Sequence, residues 1–200
     1  PAHLRTLLAD RQPDDAVALE LLRGGKAQKI EAKLATLPEA LPPADLPPAH
    51  SQAKPAAGAQ PAVGAVQLKA PQFPNEAWAY VPEGYDPAVP YGVLVWLHPA
   101  GGVKEKELIA QWKPLCDRYD LILLIPKAAE AARWQTRELA FVRNVLGQVA
   151  STYNGDPTRI VAGGQEAGGT LAFTLAAADR AAIRGVAVVD AGLPGRFPES

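Results

Sequence analysis

Methionine is absent from this 200-residue sequence, cysteine occurs once, and histidine occurs three times. With no initiator and with Pro1 standing before an amphipathic stretch, the chain is expected to be a segment of a longer protein. Any signal peptide would then lie outside it. The single Cys116 rules out an internal disulfide and a cysteine-rich metal site, and leaves the redox compartment undecided. It reads as a small apolar side chain buried in a helix. Twenty basic residues against twenty-one acidic ones leave no excess of cations to neutralise phosphates or anionic lipid. Neither nucleic acid nor a membrane surface is therefore expected as a partner. Long hydrophobic runs are also missing: "LILLIP" at 121–126 falls far short of the roughly 20 residues that a bilayer span requires. The glycine-rich "GGQEAGG" is accompanied by neither G-x-G-x-x-G nor a P-loop lysine, so no nucleotide, other cofactor or metal is expected.

Hydrophobic residues make up 48% of the chain, enough to bury a core. Near the start, Leu4, Leu7 and Leu8 fall at i, i+3 and i+4, which predicts a short helix over 2–10. "AVALELLR" and "KAQKIEAKL" alternate apolar and polar residues on either side of Gly24-Gly25, which predicts a β-hairpin. A helix and one hairpin cannot bury enough surface to stand alone. The order helix, "QPDD", strand, "LLRGGK", strand resembles the C-terminal half of a PDZ domain, especially those that follow the protease domain in the high-temperature-requirement family of trypsin-like proteases. That resemblance implies a partial PDZ unit over 1–37, whose complete form would bind a peptide or protein C-terminus by strand addition, and a periplasmic or secreted setting. The groove strand would precede Pro1. His3, beside the expected groove, reads as solvated.

Residues 38–65 are rich in proline and alanine, with almost no large apolar side chains, and are expected to be an extended linker. His50 within it has no neighbouring ligand. From 66 to 200, short β-branched runs alternate with helical stretches. "YGVLVWL", "LILLIP", "RIVAG" and "GVAVVD" read as buried strands, with helices over 104–118, 136–152 and 168–178 between them. This pattern predicts an α/β fold, a partial doubly wound parallel sheet with both faces covered. The four tryptophans, Trp78, Trp96, Trp112 and Trp134, read as partly buried core or as the wall of an aromatic pocket, and "KEKE" at 104–107 as a solvated first helical turn.

"WLHPAGG" after one strand and "GQEAG" after a later one together resemble the α/β-hydrolase fold, of the polyhydroxybutyrate-depolymerase, feruloyl-esterase and dienelactone-hydrolase kind. In those families G-x-S-x-G carries a nucleophile on a tight strand-to-helix turn. Gly164, Gln165, Glu166, Ala167 and Gly168 fill that pattern except at its centre, where Glu166 replaces serine. The resemblance implies that His98 supports the loop 98–102, that the N–H groups of Ala100 or Gly101 and of Ala167 form an oxyanion hole, and that Pro99 has no N–H to give. It also implies a catalytic histidine and acid beyond the strands present, since His3, His50 and His98 all precede the turn. Asp190, ending the last strand, reads as a strand-end residue bonding nearby backbone. A carboxylate at the helix start would sit near free N–H groups, where anions are favoured, and would fill the space of a carbonyl oxygen. The expectation is therefore a binding or scaffolding module without catalysis, carried in a multidomain chain beside a serine protease. The alternative is an active esterase or peptidase-like enzyme using Glu166, with a small ester or peptide as ligand.

Overall fold

The computed structural model describes residues 11–36 and 61–195. The helix expected over 2–10, His3, His50 and most of the 38–65 linker lie outside the described residues. The chain divides into two compact units, Pro1–Leu46 and Pro47–Ser200, and each is described by itself. In the first, β1 (Ala16–Arg23) and β2 (Lys26–Lys33) form an antiparallel hairpin in which Arg23 pairs with Lys26. Gly24 and Gly25 both take positive φ, 58° and 75°, as a two-residue turn that follows the strand twist requires. Leu19 pairs with Ile30 on one face, and both remain exposed. Glu20 and Lys29, directly opposite each other, form a solvated ion pair at 3.3 Å. A hairpin is common to many folds and does not by itself carry the PDZ resemblance.

The second unit is an α/β sandwich. Its strands are β3 (Gly64–Leu68), β4 (Ala77–Val81), β5 (Tyr91–Leu97), β6 (Leu121–Pro126), β7 (Gly155–Gln165) and β8 (Gly185–Val189). Its helices are α1 (Glu105–Tyr119), α2 (Leu139–Thr152), which a single 3-10 turn at Thr136–Glu138 precedes, and α3 (Ala167–Ala178). The sheet order is β3-β4-β6-β5-β7-β8. β5, β6, β7 and β8 run parallel, while β3 and β4 are antiparallel additions at one side. β3 begins inside the segment expected to be linker: Gly64 and Ala65 already pair with β4.

Period-two alternation sorts the strand side chains into two cores. Val93, Val95, Leu97, Ile122 and Leu124 point to one face, where they meet Phe141, Val142 and Val145 of α2 and Leu171 and Leu175 of α3. Leu94, Leu123 and Ile125 point to the other and meet Leu108, Ile109 and Cys116 of α1. Cys116 is buried as expected, and burial pushes its thiol pKa up to about 11.

The chain leaves β5 through α1 on one face and leaves β7 through α3 on the opposite face, although β5 and β7 are neighbours. Their C-terminal ends therefore diverge. Such a switch point opens a crevice outside the carboxyl ends of the strands.

Phe141 is fully buried and meets Phe73 edge-on at 5.5 Å between centroids, so the first core depends on it. Phe141→Ala is expected to lower the unfolding free energy by about 3–5 kcal/mol, read from urea denaturation followed by circular dichroism.

Candidate active site

At the end of β7 one residue, Glu166, separates strand from helix. Its backbone has φ 49° and ψ −118°, a conformation that glycine adopts freely and a glutamate does not. The turn is held from three sides. The Glu166 N–H donates to Val189 O at 3.0 Å, the Thr170 N–H donates to Glu166 O at 3.0 Å, and the Thr170 hydroxyl donates to Gly192 O at 3.0 Å. Gly164 and Gly168 permit it. A Cβ on Gly164 would lie 2.6 Å from the Leu97 carbonyl oxygen, and one on Gly168 would collide with the carbonyl oxygens of Leu97 and His98. α3 thus starts hard against the end of β5, closer than any side chain would allow.

The Glu166 carboxylate does not do what the sequence suggests. It is exposed, makes no capping hydrogen bond to the start of α3, and has no hydrogen-bond or ion-pair partner among the described residues. It leaves the N–H groups at the helix start open instead of filling the space beside them.

The loop after β5 is built on His98. The ring is buried, its Nδ1 lies 2.7 Å from Pro99 O, and its Nε2 accepts the Ala128 N–H at 3.0 Å. Those partners require the tautomer with the proton on Nδ1, donating to Pro99 O. Burial lowers the imidazole pKa, and the ring is neutral. Trp134 lies against it at 4.8 Å between centroids and donates its indole N–H to His98 O at 2.9 Å. Gly101 is removed from the expected pair of oxyanion donors, because its N–H is already given to Ala131 O at 2.8 Å. The Ala100 N–H donates to no described group, and the Ala167 N–H stands in the first turn of α3, where no intrahelical acceptor exists.

Glu138 and Lys127 were not singled out by sequence, and Trp134 was read there only as partly buried core or pocket wall. The buried Glu138 carboxylate accepts Nδ2 of Asn75 at 2.6 Å, the Ala129 N–H at 2.8 Å and the Gln135 N–H at 2.6 Å. It pins both ends of the 127–135 loop, whose residues in turn hold His98 and Gly101. The one local signal is the spacing Gln135-x-x-Glu138 before a helix. Lys127, at the end of β6, forms an ion pair with Glu105 at 2.8 Å, so Glu105 is not the freely solvated residue expected in the "KEKE" turn.

The crevice between β5, β7 and α1 holds about 680 Å³ and is lined by Trp96, Pro99, Gly102, Trp112, Gln165 and Val189, among others. Trp96 and Trp112 face each other at 5.4 Å between centroids. Trp78 and Trp134 lie elsewhere, Trp78 against the α1 core and Trp134 on His98. Asp190 follows β8 with φ 51° and is exposed.

Feruloyl esterase C of Emericella nidulans is 29% identical over 156 residues, covering 73% of this chain and 56% of that protein. Among solved structures, acetyl xylan esterase from Aspergillus awamori superposes with a TM-score of 0.59 at 16% identity, covering 66% of this chain and 53% of its own. The fold is that of the α/β-hydrolase esterases. A thermostable esterase superposes with a TM-score of 0.52 at 19% identity, over 61% of this chain and 39% of that one. No family model matches the sequence. The chain spans about half the length of the feruloyl esterase and the acetyl xylan esterase that it matches. The expected α/β-hydrolase fold is borne out, and these relatives favour the esterase alternative over the non-catalytic scaffolding module.

Two outcomes follow from this site. Glu166→Gly should raise stability by about 1 kcal/mol in urea denaturation, since backbone strain of about 1–3 kcal/mol is relieved and partly offset by glycine's extra unfolded-state freedom. Glu166→Ala, which keeps the strain, should leave it nearly unchanged. Separately, the lowered His98 pKa means that the unfolded chain binds the proton first. Stability is therefore full above about pH 6.5 and falls as pH drops below it, by up to about 1.4 kcal/mol per unit, until the folded imidazole itself protonates. Urea midpoints at pH 8 and pH 5.5 measure this, and His98→Gln should flatten the part of the difference that arises above the carboxylate range.

Proposed function

We propose that this domain is an esterase-type hydrolase acting on carboxylic esters through Glu166. The observation that carries the reading is the strained backbone at Glu166, set between a free helix N-terminus and the His98–Gly102 loop. Strain of this kind persists only where the surroundings impose it, and it clusters at reacting centres. The N–H groups of Ala167 and Ala100 are the donors for an ester carbonyl oxygen, the charge of which grows as the carbonyl is attacked. The names of the relatives, feruloyl esterase and acetyl xylan esterase, both denote cleavage of carboxylic esters.

The chemistry balances without a serine. A Glu166 carboxylate oxygen attacks the carbonyl carbon, the ester C–O bond breaks, and the acyl group is left on Glu166 as a mixed anhydride. The departing alkoxide takes a proton from water. A hydroxide or water molecule then cleaves the anhydride, which releases the acid and restores the carboxylate. His98 is not the base for that water, because both of its nitrogens are engaged in the fold.

A second reading is favoured by one observation: a carboxylate stands where this fold elsewhere holds a hydroxyl. On that reading the domain binds esters in the crevice and does not turn them over.

Hydrolysis of p-nitrophenyl acetate and methyl ferulate separates the two. If Glu166 acts, the wild-type chain turns over at least one of them and Glu166→Gln lowers kcat/KM by about 100-fold or more. Saturable binding with no turnover above buffer, together with turnover gained in Glu166→Ser, would establish the second reading in its place.

A further inference from the structure

Between the end of β6 and the start of α2 the chain makes an excursion, 127–135, that meets the loop after β5. Three hydrogen bonds join the two. The Trp134 indole N–H donates to His98 O at 2.9 Å, the Ala128 N–H donates to His98 Nε2 at 3.0 Å, and the Gly101 N–H donates to Ala131 O at 2.8 Å. Their combined effect falls on Ala100. His98 Nδ1 donates to Pro99 O at 2.7 Å, and the Pro99–Ala100 peptide is trans, so the Ala100 N–H is turned to the side opposite the His98 ring. The next peptide is held by its Gly101 N–H. Both peptide planes that flank Ala100 are thus fixed, and its N–H keeps one direction with no described partner of its own.

The tip of the excursion is exposed from Ala129 to Arg133, and the Glu130–Arg133 ion pair on it is solvated and weak. Its two ends are closed by one buried carboxylate. Glu138 Oε1 accepts the Ala129 N–H at 2.8 Å, and Oε2 accepts the Gln135 N–H at 2.6 Å. Asn75 Nδ2 ties this clamp to the root of the excursion, donating to Glu138 at 2.6 Å and to Lys127 O at 3.0 Å.

We infer that Glu138 is a positioning residue for the oxyanion donor: by clamping 127–135 at both ends, its carboxylate sets the direction of the Ala100 N–H through His98 and Gly101. The inference rests on the reading of that N–H as a donor to an ester oxygen, and it assigns the geometry of the donor to a side chain outside the crevice. A donor moved by about 1 Å can cost about 100-fold in rate. Because it bonds a charge that grows only as the carbonyl is attacked, the loss falls on turnover and not on binding.

The test uses the full chain with p-nitrophenyl acetate. Glu138→Gln keeps the size of the side chain but leaves one acceptor oxygen for donors that the carboxylate takes on two. It should lower kcat about tenfold or more while KM stays within about twofold of wild type. In amide hydrogen exchange, which needs no turnover, the Gly101 and Ala128 N–H groups should exchange about tenfold or more faster in the variant, with Val95 in β5 unchanged. Glu130→Gln, which breaks only the solvated pair at the tip, should match wild type in both measurements. Should Glu138→Gln fail to fold, Asn75→Ala, which leaves the carboxylate on its two amides, carries the test with a fall in kcat of about threefold and the same exchange pattern. Turnover by the wild type with kcat unchanged in the variant, a loss carried by KM, or unchanged exchange at Gly101 and Ala128 overturns this inference and leaves the esterase reading standing. No turnover by the wild type overturns the esterase reading, and with it the role given to Glu138.

Discussion

The structure of the site depends on one close approach, that of the first turn of α3 to the end of β5. With hydrogen in place of a side chain at Gly164 and Gly168, the helix can start beneath the carbonyl groups of Leu97 and His98. Once the helix is held there, only one residue remains to reverse the chain, and that residue has to accept φ 49°. The first turn of α3, whose N–H groups have no intrahelical acceptor, then lies beside the end of β5 where the loop 98–102 begins. Backbone strain at residue 166, openness of the Ala167 N–H and proximity to the loop are therefore one condition. The identity of the side chain at 166 is separate from it, and a glutamate sits on the turn without repaying any strain through a cap.

The loop on the other side of that approach is fixed by buried polar groups. A buried carboxylate without partners would cost several kcal/mol, but Glu138 accepts three donors and so turns its burial into an anchor for the segment 127–135. That segment supplies the Ala128 N–H to His98 and the Ala131 carbonyl to Gly101. His98 is therefore the middle of a chain of bonds that runs from the start of α2 to the loop after β5. A ring so occupied stays neutral and cannot shuttle protons without breaking the bond that positions it.

The parallel strands and the elbow were legible because their signals are local. Four short β-branched runs, a glycine pair that turns a hairpin, and glycines on either side of residue 166 each constrain the backbone within a few positions. β3 was missed because "GAVQL" is an edge strand with three of its five residues partly buried and none fully, and it follows a tract of proline and alanine that hides its start. β7 begins earlier than "RIVAG" suggests; its register with β5 jumps from Tyr91↔Gly155 to Val93↔Ile160, and the residues between include Pro157, which cannot donate to a ladder. The misassigned Gly101 illustrates a different failure. Its N–H is taken by Ala131, thirty positions on, and the bond depends on how Glu138 folds the intervening loop. No pattern near Gly101 contains that information. The Glu166 carboxylate was misplaced as well: electrostatics favours an anion at a helix start, yet the side chain is exposed and makes no cap there.

The crevice has the same origin as the elbow. α1 packs over β6 and β4, while α3 packs behind β7 and β8, so among the described residues no helix lies over the ends of β7 and β8 on the α1 side. The side-chain positions facing that side are Gly163 and Gln165 on β7 and Ala187 and Val189 on the paired positions of β8. These are mostly small residues, and the nearest bulk is the Trp96–Trp112 pair across the gap. A strand order that reversed elsewhere would have put a helix over β7 on this side and closed the space. It would also have moved the free end of α3 away from the loop that carries His98. The open crevice and the position of the start of α3 are therefore set together by the reversal of strand order beside β5, and neither depends on which side chain stands at position 166.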